Sequence, residues 1–169
     1  MERAKGMVLI KKIGSVVLMI GLAGALGQVL LAQQPTPDVY SQDGLLGMEK
    51  TLATKTDASG LATQTLKKYA TDYSMLAYRT ESGKAELHEK FADFYVVVAG
   101  KATLVSGGKM VNGATTAPGE VRGDSIAGGK ETKLKKGDIV HIPADIPHQL
   151  LLTKGDTFQY FIVKVQEVN

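Results

Sequence analysis

Cysteine is absent from the 169 residues, and so is tryptophan. Without cysteine there is no disulfide, no thiolate nucleophile, no Cys-ligated zinc, no iron–sulfur cluster and no lipidated N-terminal Cys. Without tryptophan, and with aromatics at only 6%, the chain lacks the residues that line the long sugar cleft of a paired-carboxylate glycosidase. No nucleophile elbow presents a serine for Ser-His-Asp catalysis. The glycines carry no Gly-Lys-Ser/Thr phosphate loop and no strand–GxGxxG–helix context. Arginine is scarce: beyond the first 32 residues only Arg79 and Arg122 occur. Either suits a substrate carboxylate, although solvent exposure is the ordinary expectation for both.

The basic excess is confined to one end. Arg3, Lys5, Lys11 and Lys12 face a single acid, Glu2. Setting aside residues 1–32 removes four of 20 basic and one of 17 acidic residues, leaving 16 of each. The net charge of +3 is therefore no argument for nucleic-acid binding. Ile13 to Ala32 is an uncharged run of 20 residues, followed by the polar, Pro-rich Gln33-Gln34-Pro35-Thr36-Pro37. A basic start, an apolar core and a small-residue exit make a secretory signal, with cleavage after Ala32 or at Ala23-x-Ala25. The alternative is an uncleaved anchor, since 20 apolar residues just span a bilayer. Either way the rest is exported: a secreted or periplasmic domain, or one held outside the cytoplasm by its N-terminal segment. Membrane contact is expected only through that segment.

Hydrophobic residues at 44% and charged residues at 22% describe a globular domain. Residues 33–71 read as a linker and an N-terminal extension. Leu45, Met48 and Leu52 give it weak helical spacing, and Leu61 to Ala70 is open between strand and helix. From residue 72 to 169 the chain reads as short strands. Ser74–Arg79, Phe94–Val98, Lys101–Val105, Ile139–Ile142, Gln149–Leu152 and Phe158–Val165 are rich in β-branched and aromatic residues and separated by turn residues. Such spacing predicts an all-β sandwich or small barrel. Ser106 to Lys136, with seven glycines and few large apolar residues, reads as a long hairpin excursion or loop. Glu120 and Asp124 within it are expected to be solvated.

Three histidines are present: His88, His141 and His148. Glu86 and His88 lie two apart, so on a strand they share a face. Asp93 can return to that face on the next strand. His148 follows a Pro-bounded corner, Pro143-Ala144-Asp145-Ile146-Pro147, at the start of another strand. His141, between Val140 and Ile142, faces away if those two face the core. Tyr95 and Tyr160 are aromatic strand residues suited to a core or a pocket wall.

These two stretches resemble the motifs of the cupin family, Gly-x5-His-x-His-x(3,4)-Glu-x6-Gly and Gly-x5-Pro-x-Gly-x2-His-x3-Asn. The first is matched as Glu86-x-His88-x4-Asp93-x6-Gly100, with Glu86 in place of the first histidine, Asp93 in place of glutamate and no opening glycine. The second is matched as Gly137-x5-Pro143-x4-His148, with Asp145 in place of glycine and Leu152 in place of asparagine. The resemblance covers roughly residues 72–166. It implies a double-stranded β-helix, a jelly-roll barrel. It also implies a divalent metal at the barrel mouth, carried here by Glu86, His88, Asp93 and His148. Two imidazoles and two carboxylates point to Mn, Fe or Zn. The implied function is action on a small organic molecule, with Tyr95 and Tyr160 in the substrate pocket and the reaction unspecified. The alternatives are a metal-free module that binds a small ligand without catalysis, and a structural domain that forms a homodimer through its edge strands.

Overall fold

The computed structural model describes residues 36–167. The leader, with its signal or anchor reading, lies outside the described residues. Two short helices come first, α1 (Gln42–Gly47) and α2 (Glu49–Ala53). The Ser41 side chain accepts a hydrogen bond from the Gly44 amide and caps α1. The spacing seen in the sequence now has its reason: Leu45 and Leu52 are buried against Ala62, Leu76, Tyr78 and Val98 on the outer face of the sheet. Gln159 donates to the Leu45 carbonyl at 2.9 Å and Gln42 to the Val98 carbonyl at 3.0 Å, pinning α1 there.

The strands follow as β1 (Leu61–Lys68), β2 (Asp72–Arg79), β3 (Ala85–His88), β4 (Phe91–Ser106), β5 (Lys109–Val111), β6 (Ala114–Ala117), β7 (Glu120–Gly123), β8 (Ser125–Ala127), β9 (Lys130–Lys135), β10 (Ile139–Ile142), β11 (His148–Leu151) and β12 (Phe158–Gln166). Ten form one curled antiparallel sheet, ordered β1-β2-β12-β4-β11-β3-β7-β6, with β10 and β9 also paired to β4; β5 and β8 form a separate pair. The ambiguous segment from Leu61 is a strand, and it pairs with β2 along its length.

One sequence expectation is corrected. Phe94–Val98 and Lys101–Val105 are parts of a single strand. The Ala99-Gly100 break is a bend within β4, where Gly100 takes φ +77°. A Cβ there would lie 1.9 Å from the Thr157 carbonyl oxygen, so only glycine fits. Up to Gly100 the strand pairs with β12, and from Lys101 onward with β9. β4 thus passes from one wall of the barrel to the other. Of the two readings of the Gly-rich stretch the hairpin excursion holds: residues 109–135 hold β5 to β9, with the β6–β7 hairpin between the paired β5 and β8. These strands are short and mostly exposed, so no apolar alternation announces them.

The core lies between the walls. Tyr95, Val97, Ala102, Leu104, Leu134, Ile142, Leu150, Phe158, Tyr160 and Ile162 form one buried cluster. Period-two alternation puts Tyr160, Ile162 and Lys164 on the inner face of β12, and Asp93, Tyr95 and Val97 on that of β4. The inner faces change from apolar to ionisable toward one end of the barrel, and that end holds the site.

Candidate metal centre

Glu86 and His88 come from β3 and His148 from β11, two strands that pair with His148 opposite Glu86. The opposite wall supplies Asp93 from β4 and Lys164 from β12, which are also cross-strand partners. A local device aims His148. Asp145 adopts φ +62° at the position where the cupin motif has glycine, and its amide donates to the His88 carbonyl at 2.9 Å. An Asp tolerates this left-handed geometry better than most residues. The corner is thereby tied to the strand that carries the other histidine.

Donor atoms of Glu86, His88 and His148 lie within 4.8 Å of one another. His88 and His148 are almost fully buried, at 3% and 1% exposure, with ring centroids 5.3 Å apart. Each ring is held through its other nitrogen. His148 Nδ1 donates to the Ile146 carbonyl at 2.9 Å, and His88 Nδ1 pairs with Glu120 Oε2 at 2.8 Å. Both Nε2 atoms therefore point inward. Among the described residues His148 Nε2 has no hydrogen-bond partner. It faces Glu86 Oε1 at 3.5 Å and Asp93 Oδ2 at 3.6 Å, charge contacts longer than a good hydrogen bond. A neutral ring with Nδ1 as donor aims its Nε2 lone pair at two carboxylates. Only a cation, a proton or a metal ion, relieves that repulsion.

The titration of these groups follows. Burial alone would lower His148, but Asp93, Glu86 and the Ile146 carbonyl override it and raise the imidazole to about 9. Burial would raise Glu86, yet His148, His88 and Lys164 hold its carboxyl down at about 2. Asp93 is likewise held well below the usual carboxylate range, against its burial, by His148, His88 and Lys164.

Of the residues singled out from the sequence, Glu86, His88 and His148 form the triad. Asp93 adjoins it but is engaged elsewhere: Tyr95 donates to its Oδ2 at 2.9 Å and Lys164 Nζ lies 2.5 Å from its Oδ1. Tyr95 and Tyr160 line the adjoining cavity, of about 260 Å³. His141 is on the outside, stacked on Phe94 at 4.2 Å. Three residues enter against expectation. Glu120 is not simply solvated: it pairs with His88 Nδ1 and with Arg122 at 2.9 Å. Arg79, expected at the surface, is 6% exposed. Lys164 is absent from the sequence-based set; its one signal is its phase on β12, two and four residues beyond inward Ile162 and Tyr160.

No protein-family model and no curated protein matches the chain. Solved structures do. An uncharacterised conserved protein with a double-stranded β-helix domain from Klebsiella pneumoniae superposes with TM-score 0.52 at 14% identity, covering 77% of this chain and 90% of that one. TT1209 from Thermus thermophilus gives TM-score 0.50 at 16% identity, covering 69% of this chain and 92% of the other. At such identities the likeness speaks for fold alone. Together with the paired walls, the Gly100 bend and the corner before His148, it gives the chain the double-stranded β-helix fold, with a potential His/Glu/His metal site at one end.

Proposed function

We propose that the chain is an exported single-domain cupin that holds one divalent cation on Glu86, His88 and His148 and acts on a small organic molecule in the adjoining cavity. The observation that carries this reading is the buried, unpartnered Nε2 of His148, aimed with His88 Nε2 and Glu86 at a common point. Two imidazoles and a carboxylate with room beside them suit Fe²⁺, Mn²⁺ or Zn²⁺. Such an ion supplies Lewis acidity or a site for O₂. Export rests on the form of the leader.

The chain's own residues divide the remaining work. Glu120 and the Ile146 carbonyl hold the two imidazoles in the tautomer that offers Nε2. Arg122 braces Glu86 at 3.5 Å and Glu120 at 2.9 Å. Tyr95 and Lys164 fix Asp93 beside the triad as a fourth donor residue or an acceptor for ligand hydrogen bonds. Burial raises the Tyr160 phenol although Arg79 opposes it, so its hydroxyl keeps its proton and stays a donor.

A second reading, a metal-free module that binds a small ligand, is favoured by one contact. Lys164 Nζ donates to His88 Nε2 at 2.7 Å, so an ammonium already meets one of the inward lone pairs. Metal content decides between the two. Protein purified without chelators or a His tag is analysed by mass spectrometry beside Glu86→Ala and His148→Ala. About one Fe, Mn or Zn per chain, lost in both variants, supports the metal reading. No metal, and no thermal gain from any added divalent ion, supports the second.

A further inference from the structure

The cavity holds three carboxylates and three cations, and one of the cations touches no carboxylate. The carboxylates are Glu86, Asp93 and Glu120. Arg122 pairs with Glu86 and Glu120, and Lys164 pairs with Asp93. Arg79 makes no ion pair among the described residues. The residue is 6% exposed, its one side-chain hydrogen bond runs from Nε to the Tyr160 hydroxyl at 3.1 Å, and its terminal nitrogens are left open to the cavity. Glu86 and Asp57 feel its charge without touching it. A guanidinium that faces a cavity with free donors and no anion in contact is a ready partner for one. Its terminal nitrogens lie against Gly83, where a Cβ would sit 2.9 Å from one of them, and the group lines the same cavity as Glu86 and His88.

Tyr160 sharpens the picture. Its oxygen accepts from Arg79, so its own hydrogen is free to point to a ligand. A guanidinium edge beside a phenol O–H is a donor set matched to a carboxylate. We infer that Arg79, with Tyr160, is the anchor for the carboxylate of a small organic acid, whose remainder reaches the Glu86–His88 end of the same cavity. The inference rests on reading this cavity as the ligand site, and the anchor itself needs no metal. The cavity, at about 260 Å³, limits the acid to a compact molecule.

Binding is read by ¹H–¹⁵N correlation spectra during titration with pyruvate, glycolate and benzoate, each beside its neutral amide, on chelator-treated and on Zn²⁺-supplemented protein. At least one acid is expected to shift resonances of β2 and β12 while its amide does not. In Arg79→Gln the apparent Kd is expected to weaken by about tenfold or more, the loss typical of a charge-assisted pair. Gly83→Ala places a methyl against the guanidinium head, and a weakened Kd in that variant, with its spectrum otherwise unchanged, supports the anchor should Arg79→Gln fold poorly. An acid response that survives in His148→Ala supports the anchor even where the metal reading has failed. Equal response to acid and amide, an undiminished response in folded Arg79→Gln, or no response to any of the acids in either form overturns it.

Discussion

Lys164 Nζ lies 2.7 Å from His88 Nε2, the same nitrogen that the Glu120 pairing on the far side of the ring turns toward the triad. One lone pair thus has two potential takers, an ammonium on a flexible stem and a divalent ion. The two cannot both sit on it.

Lys164→Met removes the competitor. Zn²⁺ affinity, measured by competition with a chromogenic chelator, is expected to tighten by about tenfold, because a like charge next to the ion is gone. The same change strips Asp93, 1% exposed, of its closest cation. The metal-free variant should therefore melt lower than the parent, and added Zn²⁺ should restore more stability to it than to the parent. Weaker Zn²⁺ binding in the variant would show that Lys164 organises the site rather than competing for it.

Glu120→Gln tests the outer support of His88. The amide can still hydrogen-bond but no longer fixes the ring with a charge. Metal affinity is expected to fall by about ten- to a hundredfold, the usual cost of losing such a partner, with little change in the far-UV spectrum. Affinity equal to that of the parent would leave Glu120 as a surface acid paired with Arg122.

Stability of the metal-free protein depends on pH in two directions. His148 is raised to about 9 from its ordinary 6.5 by Asp93 and Glu86 against the effect of burial. Its contribution is complete below about 6.5 and is lost as pH climbs through 9. Glu86 is held at about 2 against an ordinary 4.5 by His148 and its neighbours, again against burial. Its contribution is complete above about 4.5 and is lost as pH falls through 2; Asp93 acts in the same sense. Melting temperature should be highest between about 4.5 and 6.5 and fall on both sides. A bound divalent ion replaces the proton on His148, so excess Zn²⁺ should flatten the alkaline decline. A melting temperature constant from pH 6 to 9 without metal would contradict the paired His148.

Gly100→Ala strikes the barrel itself. The residue sits at φ +77° and its new methyl would meet the Thr157 carbonyl. Left-handed strain and overpacking together should cost about 3 kcal/mol or more, read as a shift in the urea midpoint. A loss under about 0.5 kcal/mol, the scale of an ordinary surface change, would mean that β4 does not bend there as described.

The site was legible where spacing encodes geometry. Glu86 and His88, two apart, had to share a strand face, and the Pro-bounded corner had to deliver His148 near a strand start. Gly100 and Asp145 both take positive φ at positions where the motifs carry glycine, so the backbone demand was visible even where the residue differs. Glu120 and Arg122 were not legible. They lie on β7, a short strand in a segment whose burial never alternates cleanly, and nothing local tells a bracing carboxylate from a solvated one. Arg79 was hidden by a general expectation: arginines are mostly exposed, and only the tertiary pairing of β2 with β12 puts this one inside. Lys164 was legible in principle, as a charge in phase with inward tyrosine and isoleucine on a strand otherwise reading as core.

The place of β12 in the sheet has a consequence for biogenesis. It is the last of the described strands, yet it lies between β2 and β4 and supplies Tyr160 and Lys164. Until it is released, β2 and β4 have no common neighbour, the cavity lacks a wall and Asp93 lacks its cation. Such late, long-range pairing delays folding until β12 has been made. A chain threaded in an unfolded state through a narrow channel would meet no native barrel to unravel on the way. Any device that caught the nascent domain would have to bind the open edges of β2 and β4, the two surfaces that β12 later seals.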